Sequence, residues 1–231
     1  MRTSILASSV LALAIAAPAV QAHQAGDIIV RAGAVTVQTH ENTSGVKGDR
    51  GALAGMGNLG GKASINNDTQ LGLNFAYMVT DKWGVELLAA TPFKHDVSIK
   101  GTGIVDGKLG SFKHLPPTLS AVYYPLDSKS AFQPYVGAGI NYTWFFDESV
   151  SSSAKNNGAR DFTSLNIKNS WGLAAQVGAD YMLTDNIMIN GQVRYIDIDT
   201  TAYASHNTLG RAKVNVDVKP WVYMVGLGYK F

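Results

Sequence analysis

The residues of this chain best suited to chemistry are five histidines: His23, His40, His95, His114 and His206. An imidazole can move protons near neutral pH or ligate a metal. Either task needs a second group at a fixed spacing, such as histidines at i and i+4 or a serine raised on a nucleophile elbow. No such arrangement occurs here. Cysteine is absent, which removes thiol chemistry and disulfides. His95 and His114, flanked by Lys94 and Lys113, can meet across two neighbouring strands. Otherwise the histidines read as solvated groups in or near long loops. No catalytic residue, metal site or cofactor is expected.

Buried charge is the second place to look, and finding it requires the elements. From Trp221 to Phe231 large apolar residues alternate with Val222, Met224, Gly226, Gly228 and Lys230. Such a strand in a soluble protein hides its large face under another layer. Here similar faces recur along the chain with few helical segments to cover them. The covering is therefore expected to be lipid, and the fold all-β: an eight-stranded antiparallel transmembrane β-barrel. The strands fall near 27–39, 67–79, 83–99, 113–126, 132–147, 170–183, 187–203 and 213–231. Tight turns at 80–82, 126–131 and 184–186 alternate with long stretches at 40–66, 100–112, 148–169 and 204–212. Short periplasmic turns and long extracellular loops set the orientation.

The period of two then sorts the side chains. Arg31, Glu86 and Asp180 point inward and low, with Asn190 and Gln192 just above them. They are expected to form a charged closure near the periplasmic end, since unpaired buried charges are costly. A packed core without further role would account for them equally. Val35, Val37, Leu88, Phe145, Ile196 and Ile198 line the upper lumen, an apolar surface suited to an apolar solute entering from outside. Pro92 interrupts the third strand towards its outer half. Proline gives the ladder no N–H, so this is a candidate lateral opening, or else a bulge or the strand's exit from the membrane.

Composition and the two ends agree with a barrel. Charged residues make up 16%, low against the ~25% of soluble domains. The net charge of +2 gives no reason to expect a nucleic-acid partner. Residues 1–22 read as a cleaved signal: Arg2, an apolar stretch too short to span a bilayer, then Val20-Gln21-Ala22. Residues 23–231 form the barrel. Terminal Phe231, with Tyr229 two residues before it, resembles the insertion signal read by the barrel-insertion machinery.

Specific segments resemble the outer membrane protein W (OmpW) family, its OprG-like branch in particular. They include Asp81-Lys82-Trp83-Gly84-Val85-Glu86-Leu87, Ala89-Ala90-Thr91-Pro92-Phe93, Leu115-Pro116-Pro117-Thr118-Leu119, Phe145-Phe146-Asp147-Glu148 and Ser170-Trp171-Gly172-Leu173-Ala174. The resemblance implies a Gram-negative outer-membrane barrel with a narrow apolar extracellular funnel, blocked below. It implies uptake of small hydrophobic molecules with lateral release into the surrounding lipid. Small amino acids are the alternative solutes. Two other classes compete. One is a lipid-modifying barrel enzyme using Ser, His and Asp. The other is a structural or adhesive barrel, a receptor for phage or host surfaces, that transports nothing.

Overall fold

The computed structural model describes residues 21–39, 41–101, 106–155 and 161–231. His40 and residues 1–20, most of the expected signal, lie outside them. The first strands are β1 (Ile28–Gln38), β2 (Glu41–Thr43), β3 (Val46–Arg50), β4 (Asn58–Gly60), β5 (Lys62–Ile65), β6 (Asp68–Met78), β7 (Trp83–Ala90) and β8 (Phe93–Lys100). They continue as β9 (Gly107–Leu115), β10 (Thr118–Tyr123), β11 (Phe132–Val150), β12 (Phe162–Ile167), β13 (Ser170–Met182), β14 (Ile187–Ile196), β15 (Ile198–His206), β16 (Gly210–Val218) and β17 (Trp221–Lys230). Among the described residues no helix is long and apolar enough to cross a membrane.

Eight strands close into an antiparallel barrel in the order β10-β7-β6-β1-β17-β14-β13-β11, with β11 returning to β10. Closure leaves no edge, which a strand crossing lipid requires. The alternation predicts which face meets lipid. Leu71, Phe75, Leu173, Val177, Val225 and Leu227 stand exposed on the outside, Leu173 at 71%. Aromatic pairs bound this band. Trp83–Tyr123 and Tyr229–Phe231 mark one rim; Tyr142–Trp171 and Tyr195–Trp221 mark the other. Such girdles fix a barrel's height in the bilayer. Inside, Gly72, Gly33 and Gly226 face one another across β6, β1 and β17. A Cβ on Gly33 would lie 2.2 Å from the Val225 carbonyl oxygen, so only glycine lets the wall curl this tightly.

Above the outer girdle the wall continues as an extracellular extension. β8 and β9 pair there with β5 and the upper part of β11; β15 and β16 pair with β12, β2 and β3. This corrects the expected long loops. About half of 40–66, residues 148–150 and 162–167 within 148–169, and the ends of 100–112 and 204–212, are strands. They were missed because register shifts at Val46/Lys47, Phe146/Ser149 and Arg211/Ala212 break the period of two. Four expected strands are also pairs, 187–203 among them, where β14 gives way to β15 at Asp197. β7 gives way to β8 at Thr91-Pro92, β9 to β10 at Pro116-Pro117, and β16 to β17 at Lys219-Pro220.

Candidate passage through the barrel

The inward faces divide into floor, middle and funnel. The floor is an ion network. Arg31 on β1 grips Asp180 on β13 with two bonds, Nε to Oδ1 at 2.9 Å and Nη2 to Oδ2 at 2.5 Å. A bidentate pair of this kind is among the stronger charged contacts. Its Nη1 donates to Asn74 Oδ1 at 3.1 Å and reaches Glu86 Oε2 at 3.4 Å; Nη2 also donates to the Tyr124 hydroxyl at 2.9 Å. Arg194 on β14 donates to Glu86 Oε1 at 2.7 Å and to Gln176 Oε1 at 2.6 Å. Gln176 Nε2 closes the ring on Glu86 Oε1 at 2.9 Å. Asn190 donates to Asp180 at 2.8 Å.

Arg31, Glu86 and Asp180 therefore meet, as their shared phase implies. Asn190 pairs directly with Asp180 rather than lying above it. Arg194, read as inward-facing, and His23 were not among the residues expected in the closure. Arg194 had the right inward phase opposite Gln176, but nothing in the pattern assigned it to Glu86. His23 precedes β1 and folds back, its Nε2 2.9 Å from Asp180 Oδ2. No periodicity reaches a residue before the first strand. Two guanidinium groups face two carboxylates, and all four side chains are at least 99% buried. Burial of this order is tolerated only with such pairing.

Above the floor a layer of Val35, Leu88, Ile196, Val222 and Met224 packs solid. Here the expectation needs correction. All six expected lumen residues belong to this apolar cluster or pack on it, but only Val37, Phe145 and Ile198 line open space. Val35, Leu88 and Ile196 fill the bore. An eight-stranded barrel is just wide enough for its own side chains, so the cavity begins only higher up.

The funnel occupies the extension. It holds about 1360 Å3 free of atoms, counting its open mouth. Val97, Ile99, Leu109, Phe112 and Leu165 supply much of its wall. His95 and His114 also line it, and their Nε2 atoms lie 2.9 Å apart. Both are buried, which corrects the solvated reading. Burial, followed by the neighbouring His95, pushes His114 down to about 3. Burial lowers His95 as well. His206 is buried too, its ring edge-on to Phe162.

Beside this pair the wall loses its ladder. β7 and β10 pair up to Leu88↔Thr118, and β8 and β9 resume at Phe93↔His114. Ala89–Pro92 and Leu115–Pro117 have no register partners across that seam. On its other side β7 stays bonded, Thr91 N donating to Leu71 O at 2.9 Å. The Pro116 and Pro117 carbonyls accept from Asn141 Nδ2 on β11 at 3.0 and 3.1 Å. Three prolines thus border one gap: Pro92 and Pro117 exposed, Pro116 buried. The sequence reading had singled out Pro92 alone. Elsewhere, Asp197, Asp199 and Asp217 bring carboxylate oxygens within 4.8 Å of one another, but Asp199 is exposed and Lys219 pairs with Asp217 at 3.1 Å.

A closed eight-stranded barrel, girdled by aromatics and apolar outside, defines an outer-membrane β-barrel protein of Gram-negative type. Residues 24–231 match the model of the OmpW family, and the chain belongs to that family. It is 46% identical to outer membrane protein W of Escherichia coli over 212 residues, 91% of each chain. The crystal structure of OprG from Pseudomonas aeruginosa covers 92% of this chain and 99% of its own, with a TM-score of 0.83 and 50% identity. A more distant relative, 27% identical over 74% of this chain and 76% of its own, is the dibenzothiophene metabolism operon protein PahQ of Pseudomonas aeruginosa.

Proposed function

We propose that the chain takes up small apolar molecules from outside and releases them sideways into the outer membrane. One observation carries the reading: an apolar funnel stands over a sealed, ion-paired floor, with an unpaired stretch of wall at its base. Water-soluble cargo would need a polar path to the periplasm. The floor and the solid layer above it offer none. An apolar molecule entering the funnel leaves water behind, gaining about 25 cal/mol for each Å2 it buries. Its lowest-energy exit is into lipid, and the Pro92/Pro116–Pro117 gap is where no ladder bond must break. The name of the relative PahQ, tied to the metabolism of an apolar aromatic compound, supports the same solute class.

A zwitterionic amino acid fits less well, because it would shed the hydration of two charges against this lining. An adhesive barrel shares the fold but has no use for a dry funnel open at the top. The test is uptake of a panel of aromatic hydrocarbons and amino acids by cells with and without the protein. Faster uptake of the hydrocarbons alone is expected. Equal uptake by both strains would reject transport.

A further inference from the structure

The hydrogen-bond chain through His95 and His114 has only one direction. The Asn66 carbonyl oxygen, 2.6 Å from His95 Nδ1, can only accept, so Nδ1 carries a proton. A neutral imidazole has one N–H, which leaves His95 Nε2 an acceptor. Its partner at 2.9 Å, His114 Nε2, must then donate. His114 spends its single proton there, and its Nδ1 is left a bare acceptor. That atom is buried and has no protein partner. Phe93 and Phe145 flank the ring at centroid distances of 5.3 and 5.8 Å and offer it no donor. Both rings stay neutral at ordinary pH: desolvation outweighs the pull of Asp68 at His114, and at His95 the Asn66 hydrogen bond together with the pull of Asp68 and Asp96.

His114 faces the funnel and stands opposite Phe93, directly above the gap. The atom is closed off from the free funnel, so a molecule resting there reaches it by displacing the side chains packed around the ring, the His95 bond being kept. We propose that this acceptor makes the funnel selective for apolar molecules bearing one neutral hydroxyl, phenols and alcohols, over the matching hydrocarbons. The hydroxyl donates to His114 Nδ1 while the apolar body stays on the aromatic and aliphatic wall. A carboxylate would set acceptor against acceptor. An ammonium would lose its hydration for a single contact. The inference rests on the uptake reading and names the solute class of the same cavity.

The test compares p-cresol with p-xylene, near-isosteres differing by a hydroxyl for a methyl. Binding is measured on the full barrel in lipid nanodiscs and referred to each compound's partition into protein-free discs. Wild type is expected to bind p-cresol about threefold to tenfold tighter, the span of one neutral hydrogen bond. In the double variant His95→Phe/His114→Phe, which also removes the His95 Nε2 acceptor that loss of His114 alone would free, the ratio should fall to about one. In wild-type protein labelled with 15N-histidine, p-cresol should shift the His114 Nδ1 resonance and p-xylene should not. That spectrum decides the matter even if the variant fails to insert. Equal binding of both compounds, an unmoved Nδ1, or a ratio kept in His95→Phe/His114→Phe overturns the selectivity and leaves the uptake reading standing. No binding of either compound overturns both.

Discussion

Glu86 is the residue on which the floor converges. It meets Arg31, Arg194 and Gln176 from three other strands, all inside the barrel. Replacing it by leucine keeps the bulk and leaves two buried guanidinium groups facing one carboxylate. Glu86→Leu is expected to cost roughly 3–5 kcal/mol, the usual penalty for stranding a buried charge. Urea unfolding of the inserted barrel measures this, and wild-type stability in the variant would reject the pairing. His114 gives a pH dependence of definite sign. Its folded pKa, about 3, lies below the ordinary 6.5. The unfolded or opened extension therefore takes up a proton that the folded one refuses. Stability contributed at pH 7 drains away below about pH 6.5, at up to ~1.4 kcal/mol per unit from this group. Amide protection over 93–100 and 107–115, referred to intrinsic exchange rates, should fall at pH 4.5 and lose that response in His114→Phe. At this scale the sequence shows phase but not partners. Arg31, Glu86 and Asp180 were legible because strands alternate, whereas the link from His23 to Asp180 spans 157 positions.

At the scale of the element, the gap beside β7 makes the sharpest claim. Pro92→Ala restores an N–H on the seam facing Leu115–Pro117. One added ladder bond contributes only ~0.5–1.5 kcal/mol, so insertion should survive. Uptake of an apolar solute should drop severalfold, and unchanged uptake would place the exit elsewhere. Pro116 and Pro117 remain in that variant, so complete loss is not expected. The barrel strands were legible because lipid demands a strict period of two over each crossing. The extension was not, because its strands β2 to β5 are three to five residues long and carry register shifts. A period needs length to be seen. The part of the funnel around Leu109 and Leu165 therefore appeared in the sequence as loops, while Val97 and Ile99 fell within the expected strand 83–99 without being assigned to the wall.

For the whole molecule, the first and last barrel strands are tied together. Phe231 N donates to Ile28 O at 2.8 Å, and β1 pairs with β17 from Ile29↔Lys230 to Gln38↔Trp221. Cleavage after Ala22 is expected, so the exported protein should begin at His23. Edman sequencing of the outer-membrane fraction reads this directly. Deleting Phe231 should lower the inserted fraction severalfold, measured by the heat-dependent gel shift of a folded barrel. Full insertion without Phe231 would remove the role assigned to it and to Tyr229.

A wall with missing stitches ought to fray. Nothing in β-sheet geometry by itself stops a break at Leu88 and Thr118 from running down the five pairs beneath it, to Trp83 and Tyr123. What stops it is the strand's own cargo of charge. Two residues below the break, Glu86 moors β7 from within to β1, β13 and β14, like a rivet at the tip of a crack. The unpaired stretch is thus expected to keep a fixed length, with the paired wall below it holding firm. In Glu86→Leu the tear should lengthen. Amides of residues 83–88 and 118–123 would then exchange as fast as those of the seam above.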